Sequence, residues 1–111
     1  MSASENQVGK SGNSGARFAI VTGASAGIGA AAAELLAQDG WHVILAARRE
    51  EKLREVAERI NAERPDHGIV LTVDVTEKES VERFAKAVAE VVGRVAGGAL
   101  ELLVNNAGGA R

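Results

Sequence analysis

The chain has 111 residues, 46% of them apolar, and a formal net charge of −2 at pH 7. That length bounds it at one domain or part of one, and the near-balanced charge leaves no electrostatic footprint for nucleic acid or an anionic membrane surface; a small molecule is the expected partner. There is no cysteine, which removes disulfides and thiolate chemistry and agrees with a cytoplasmic setting.

Residues 1–16 are rich in Ser and Gly and hold no apolar run long enough for a signal peptide, so a disordered leader is expected, with the folded part starting at residue 17. Within the leader, Gly9-Lys10-Ser11 resembles the end of a phosphate-binding P-loop, but Ser4 stands where that motif needs Gly and no strand precedes it. Phe18 to Thr22 is a short apolar run ending in glycine, as expected of a strand buried on both faces. Ile28, Ala31, Ala32, Leu35 and Leu36 then recur at helical spacing, and Gly40 is placed to stop that helix. Trp41 to Ala47 is strand-like again. Leu53, Val56, Ala57 and Ile60 mark a second amphipathic helix, closed by Pro65 and Gly68 before the strand-like run Ile69 to Val73. Thr76 with Glu79 reads as a capping box for a third helix, whose buried face would be Val81, Phe84, Ala85, Val88 and Val92, and which glycines 93, 97 and 98 end. A last strand, Leu100 to Val104, stops at Asn105-Asn106-Ala107-Gly108. The order β-α-β-α-β-α-β implies right-handed crossovers and a parallel sheet with helices on both faces, an α/β fold.

Between the first strand and helix lies Thr22-Gly23-Ala24-Ser25-Ala26-Gly27-Ile28-Gly29. A dinucleotide pyrophosphate must approach backbone amides at a helix N-terminus, and side chains would obstruct it; glycines remove the obstruction. The spacing is G-x-x-x-G-x-G, not the stricter G-x-G-x-x-G. At the end of the second strand, where an NAD-specific site would place a carboxylate for the ribose hydroxyls, stands Ala47, followed by Arg48, a permanently charged planar fork suited to a 2′-phosphate. NADP (NADPH) is therefore expected over NAD. The alternative is that Arg48 and Arg49 are solvated charges opening the next helix. Asp74 follows the third strand; alone it could simply complement the positive end of the helix after it.

These motifs, in this order, resemble the short-chain dehydrogenase/reductase family over residues 17 to 108. The resemblance implies a Rossmann-type doubly wound parallel sheet, truncated after the fourth strand, with that strand at an open edge in the family's 3-2-1-4-5-6-7 order. It implies that Gly23, Ser25, Gly27, Ile28 and Gly29 line the cofactor's phosphates and adjoining ribose, and that Asp74, with Val75 beside it, contacts the adenine. Asn105 would help hold the central strands, and the backbone at Asn105 and Ala107 would border the adenosine ribose. The implied reaction is hydride transfer interconverting a small carbonyl and an alcohol, in a full-length enzyme that is a homo-oligomer. The family's Tyr-x-x-x-Lys pair and its Ser would supply the acid–base chemistry, yet this chain has no tyrosine, so no catalytic residue is assigned and the chain alone is expected to be inactive and prone to association. A non-catalytic dinucleotide-binding module is the alternative; a flavodoxin-like mononucleotide binder fits the alternation but not the Asn-Asn-Ala-Gly rim. His42 and His67, the two histidines, are expected to face solvent, with nothing nearby to suggest a metal site.

Overall fold

The computed structural model describes residues 15–25 and 27–106. Its elements are β1 (Arg17–Thr22), α1 (Gly27–Gln38), β2 (His42–Ala47), α2 (Glu50–Glu63), β3 (Gly68–Thr72), α3 (Lys78–Gly93) and β4 (Ala99–Asn105). The strands lie in the order β3-β2-β1-β4, every pair parallel. This is the Rossmann-like α/β sheet expected, with the fourth strand at one edge. Among the described residues no helix is long and apolar enough to cross a membrane.

Period-two alternation along the two inner strands divides the core between the sheet's faces. Val21, Val43 and Leu45 point to one side, where α1 and α2 cover them with Ala33, Ala37, Leu53, Val56 and Ile60. Phe18, Ile20, Ile44 and Ala46 point to the other, beneath α3, with Val88 buried and Phe84, Val91 and Val92 partly so. Because both faces are covered, β1 and β2 read as unbroken apolar runs.

Two helices differ from the expectation. In α1 the buried positions are Gly29, Ala30, Ala33 and Ala37, whereas Ile28 is 79% and Leu35 65% exposed. Close approach to the sheet selects the face with the smallest side chains, and Ile28 and Leu35 are turned outward, while Leu36, also expected in the buried stripe, is half-buried against the core. The helix does stop where expected: the Gly40 and Trp41 amides donate to the Ala37 and Leu36 carbonyls, with Gly40 at φ 94°, which is a Schellman turn. In α3 the Thr76–Glu79 capping box does not form. The N-cap is Glu77, without a side-chain cap bond, because the Thr76 hydroxyl is engaged by the Asp74 carboxylate instead. Val81 and Ala85 are exposed, so the helix packs through Phe84, Val88, Val91 and Val92.

The end of the sheet where the strands begin is tied together by rings. Arg17 lays its guanidinium 4.4 Å from the centre of the Trp41 ring, and the indole packs against the α1–α2 side of the core. Phe18, His42 and His67 stack in a row, with centroids 4.8 and 4.1 Å apart. The histidines are thus partly buried members of a stack rather than solvent-facing. Their Nδ1 atoms donate to the carbonyls of Asp66 (3.4 Å) and Pro65 (3.0 Å). At the outer edge of the sheet, the Asn61 side chain spans the Gly68 backbone: its Nδ2 donates to the Gly68 carbonyl at 3.0 Å and its Oδ1 accepts the Gly68 amide at 2.8 Å. The other edge is β4, whose Leu100, Leu102 and Leu103 are exposed.

Candidate functional site

In a parallel sheet every strand ends on the same rim, so the four loops picked out by sequence are gathered there. Gly23, Ser25, Gly27, Ile28 and Gly29 form the turn into α1, Arg48 follows β2, Asp74 and Val75 follow β3, and Asn105 closes β4. Ala107 lies outside the described residues, as do Gly9-Lys10-Ser11 and residues 1–14 of the expected leader.

Gly27 and Gly29 serve different ends. Gly27 sits at φ 63°, in the left-handed region, and a Cβ there would meet nothing within 4 Å; the space before the helix is open. Gly29 is packed from behind, where a Cβ would lie 2.2 Å from the Gly23 carbonyl oxygen. The first turn of α1 is thereby drawn against the end of β1, and its leading amides, as at any helix N-terminus, have no intrahelical acceptor. It carries no acidic side chain, so nothing on the helix itself competes for the positive end of its dipole. The residues present fit a dinucleotide phosphate: a backbone cradle, open at Gly27, at a helix N-terminus.

The cradle is locked to β4 through Thr22. Its hydroxyl donates toward Asn105 Oδ1 (3.0 Å) and the Val104 carbonyl (3.3 Å) and accepts the Asn106 amide (3.0 Å). Asn106 Nδ2 reaches the Gly23 carbonyl at 3.5 Å. Sequence reasoning used Thr22 only as a motif letter and passed over the Asn106 side chain.

Arg48 is exposed at the end of β2, and its charge acts on Asp74 across the rim. The Asp74 carboxyl is held below its ordinary value chiefly by the Thr76 hydroxyl, then by the Thr76 amide, with Arg48 contributing least. Oδ1 takes both Thr76 bonds, at 2.6 and 3.0 Å. The Asp74 amide donates to Ser80 Oγ at 2.9 Å. Val75 beside it is 65% exposed. Neither Thr76 nor Ser80 stood out in the sequence as a site residue. Among the described residues no cluster of three or more His, Asp or Glu could hold a metal.

A cleft of about 900 Å³ lies along the outer edge of β3, between α2 and α3. Its lining includes the paired Glu50 and Arg54 and the Asn61 side chain that is already spent on Gly68. The chemistry gathers on the rim, where a long dinucleotide would lie across an open surface.

Comparison with known proteins bears on the family and the fold. The family model described as short chain dehydrogenase matches residues 17–111. The chain belongs to the short chain dehydrogenase family. An uncharacterized oxidoreductase of Staphylococcus saprophyticus is 42% identical over 92 residues, which are 83% of this chain and 37% of the relative. Menthone neomenthol reductase from Mentha piperita superposes with a TM-score of 0.72 at 35% identity, over 82% of this chain and 31% of that one. An alcohol dehydrogenase from Thermococcus sibiricus, complexed with 5-hydroxy-NADP, gives 0.65 at 40% identity, over 69% and 33%. This short chain dehydrogenase chain thus spans little more than a third of the length of the curated relatives it matches.

Proposed function

We propose that this chain is the NADP-binding portion of an oxidoreductase that interconverts a small-molecule carbonyl and an alcohol. The observation that carries the cofactor choice is the pairing at the end of β2: Ala47 where a ribose-binding acid would stand, then an exposed Arg48. A carboxylate there would repel a 2′-phosphate, while a guanidinium attracts it. In this reading Gly23, Ser25, Gly27, Ile28 and Gly29 hold the pyrophosphate and adjoining ribose, Asp74 and Val75 take the adenine side, and Asn105 and Ala107 border the adenosine ribose. When bound, the nicotinamide would supply the hydride in carbonyl reduction and take it up in alcohol oxidation.

This chain's own residues bind and orient. The α1 amides carry the anion, Thr22 holds the β1 and β4 loops in register, and Arg48 selects the phosphate. With no tyrosine in its 111 residues, the chain has no group for the family's acid–base step, so it is expected to bind cofactor without turnover. The same reading includes a cytoplasmic setting and a homo-oligomeric complete enzyme. The supporting neighbours are the reductase of Mentha piperita and the alcohol dehydrogenase complexed with 5-hydroxy-NADP.

The test is a calorimetric titration with NADPH and NADH. Binding of NADPH at least about tenfold tighter, with most of that margin lost in Arg48→Ala, is the expected result for one exposed charge-assisted contact. Equal affinities would overturn the NADP assignment, and no binding of either would overturn the cofactor site.

A further inference from the structure

Asp74 is gripped from two directions. Ser80, in the first turn of α3, accepts the Asp74 amide at 2.9 Å and so fixes where the backbone of residue 74 stands relative to that helix. Thr76 takes Oδ1 twice, through its amide at 3.0 Å and its hydroxyl at 2.6 Å, and so fixes the plane of the carboxylate. Oδ2 takes part in neither bond. A carboxylate oxygen can only accept hydrogen bonds while ionised, and the Thr76 contacts favour that form.

An acceptor held still makes a choice among purines. Adenine offers its exocyclic amino group as a donor, whereas hypoxanthine, otherwise the same ring, presents a carbonyl oxygen there and carries a donor only on the neighbouring ring nitrogen. A fixed acceptor meets the amino group of the first and repels the oxygen of the second. A loose one can swing to the ring N–H and accept both. We propose that Ser80 and Thr76 are positioning residues that hold Asp74 Oδ2 as a fixed acceptor and thereby give the site its preference for adenine over hypoxanthine dinucleotides. The proposal rests on the reading of Asp74 as the adenine-side residue given above.

The experiment is calorimetric titration of the chain with NADP and with its hypoxanthine counterpart, for the unaltered protein and for Ser80→Ala, Thr76→Val, Ser80→Thr and Thr76→Ser. A fixed acceptor facing a carbonyl forfeits a charge-assisted hydrogen bond, so the unaltered chain should prefer NADP by about tenfold or more. The preference should fall to about twofold in Ser80→Ala and Thr76→Val, and return in the two variants that keep a hydroxyl. Two variants acting on opposite sides of Asp74 keep the test decisive if one of them fails to fold. If both dinucleotides weaken equally, so that their ratio stays at the unaltered value, Ser80 and Thr76 merely support the loop and the proposal is overturned while the adenine reading stands. If the unaltered chain shows no preference, the adenine reading of Asp74 falls and takes this inference with it.

Discussion

One methyl group distinguishes the duties of two neighbouring glycines. Gly29→Ala would drive a Cβ to 2.2 Å from the Gly23 backbone oxygen, which cannot yield as a side chain would, and to 2.9 Å from Asn106 Nδ2. We expect a loss of about 2–3 kcal/mol, the upper part of the range for overpacking, seen as a lower urea midpoint with an unchanged slope. Gly27→Ala meets no atom but must hold a left-handed backbone at φ 63°, costing about 1–2 kcal/mol. Its larger effect should be on dinucleotide affinity, because the added carbon enters the open cradle; equal affinity by titration would contradict that. The glycine spacing made both positions legible in the sequence. The Thr22–Asn106 lock was not, since its partners are 84 residues apart and nothing local in either signals the other. Asp74 was legible as a site residue, but its grips were hidden: Ser80 and Thr76 look like ordinary loop and helix-start residues until the loop is folded.

Elements were easier to find than to orient. All seven were marked by periodicity and glycine, and α2 buries the very four residues its spacing picked out, Leu53, Val56, Ala57 and Ile60. For α1 the same rule placed Ile28 and Leu35 inward, yet of the three large residues it picked Leu36 alone packs against the core. Hydrophobicity rewards burying Ile28 and Leu35, but a glycine–alanine face lets the whole helix approach two strands, and that close packing wins. Leu53→Ala, which leaves a hole beneath α2 in a fully buried site, should cost about 2–5 kcal/mol in denaturant melts. The stack joining the starts of β1, β2 and β3 carries a pH dependence. His42 lies below its ordinary value of 6.5, first through burial and then through the charge of His67, with Asp66 opposing. The unfolded chain therefore takes up a proton that the folded one resists, so stability is full above about 6.5 and declines as pH falls through the lower folded value. Urea midpoints should drop between pH 7.5 and 5.5, and His67→Gln should flatten the fall by removing the second charge. A midpoint that rises on acidification would refute the assignment.

At the level of the molecule the two sheet edges are treated differently. The β3 edge begins with Asn61 occupying both backbone groups of Gly68, whereas β4 offers an apolar strand with Leu100, Leu102 and Leu103 exposed. An uncovered apolar edge of this kind pairs with its like. The chain is expected to self-associate at micromolar concentration, and Leu103→Lys should shift it toward monomer in sedimentation velocity without lowering NADPH affinity. A unaltered chain that sediments as monomer throughout would contradict this. Trp41, finally, is the single indole, fixed under the Arg17 guanidinium at the start of β2. The nucleotide rim lies at the far end of that strand, about 20 Å away at 3.3 Å per residue. Its emission maximum is therefore a built-in optical gauge of whether the sheet is intact: it should redden when Arg17 and the core release the ring, and keep its colour when a nucleotide arrives at the opposite pole.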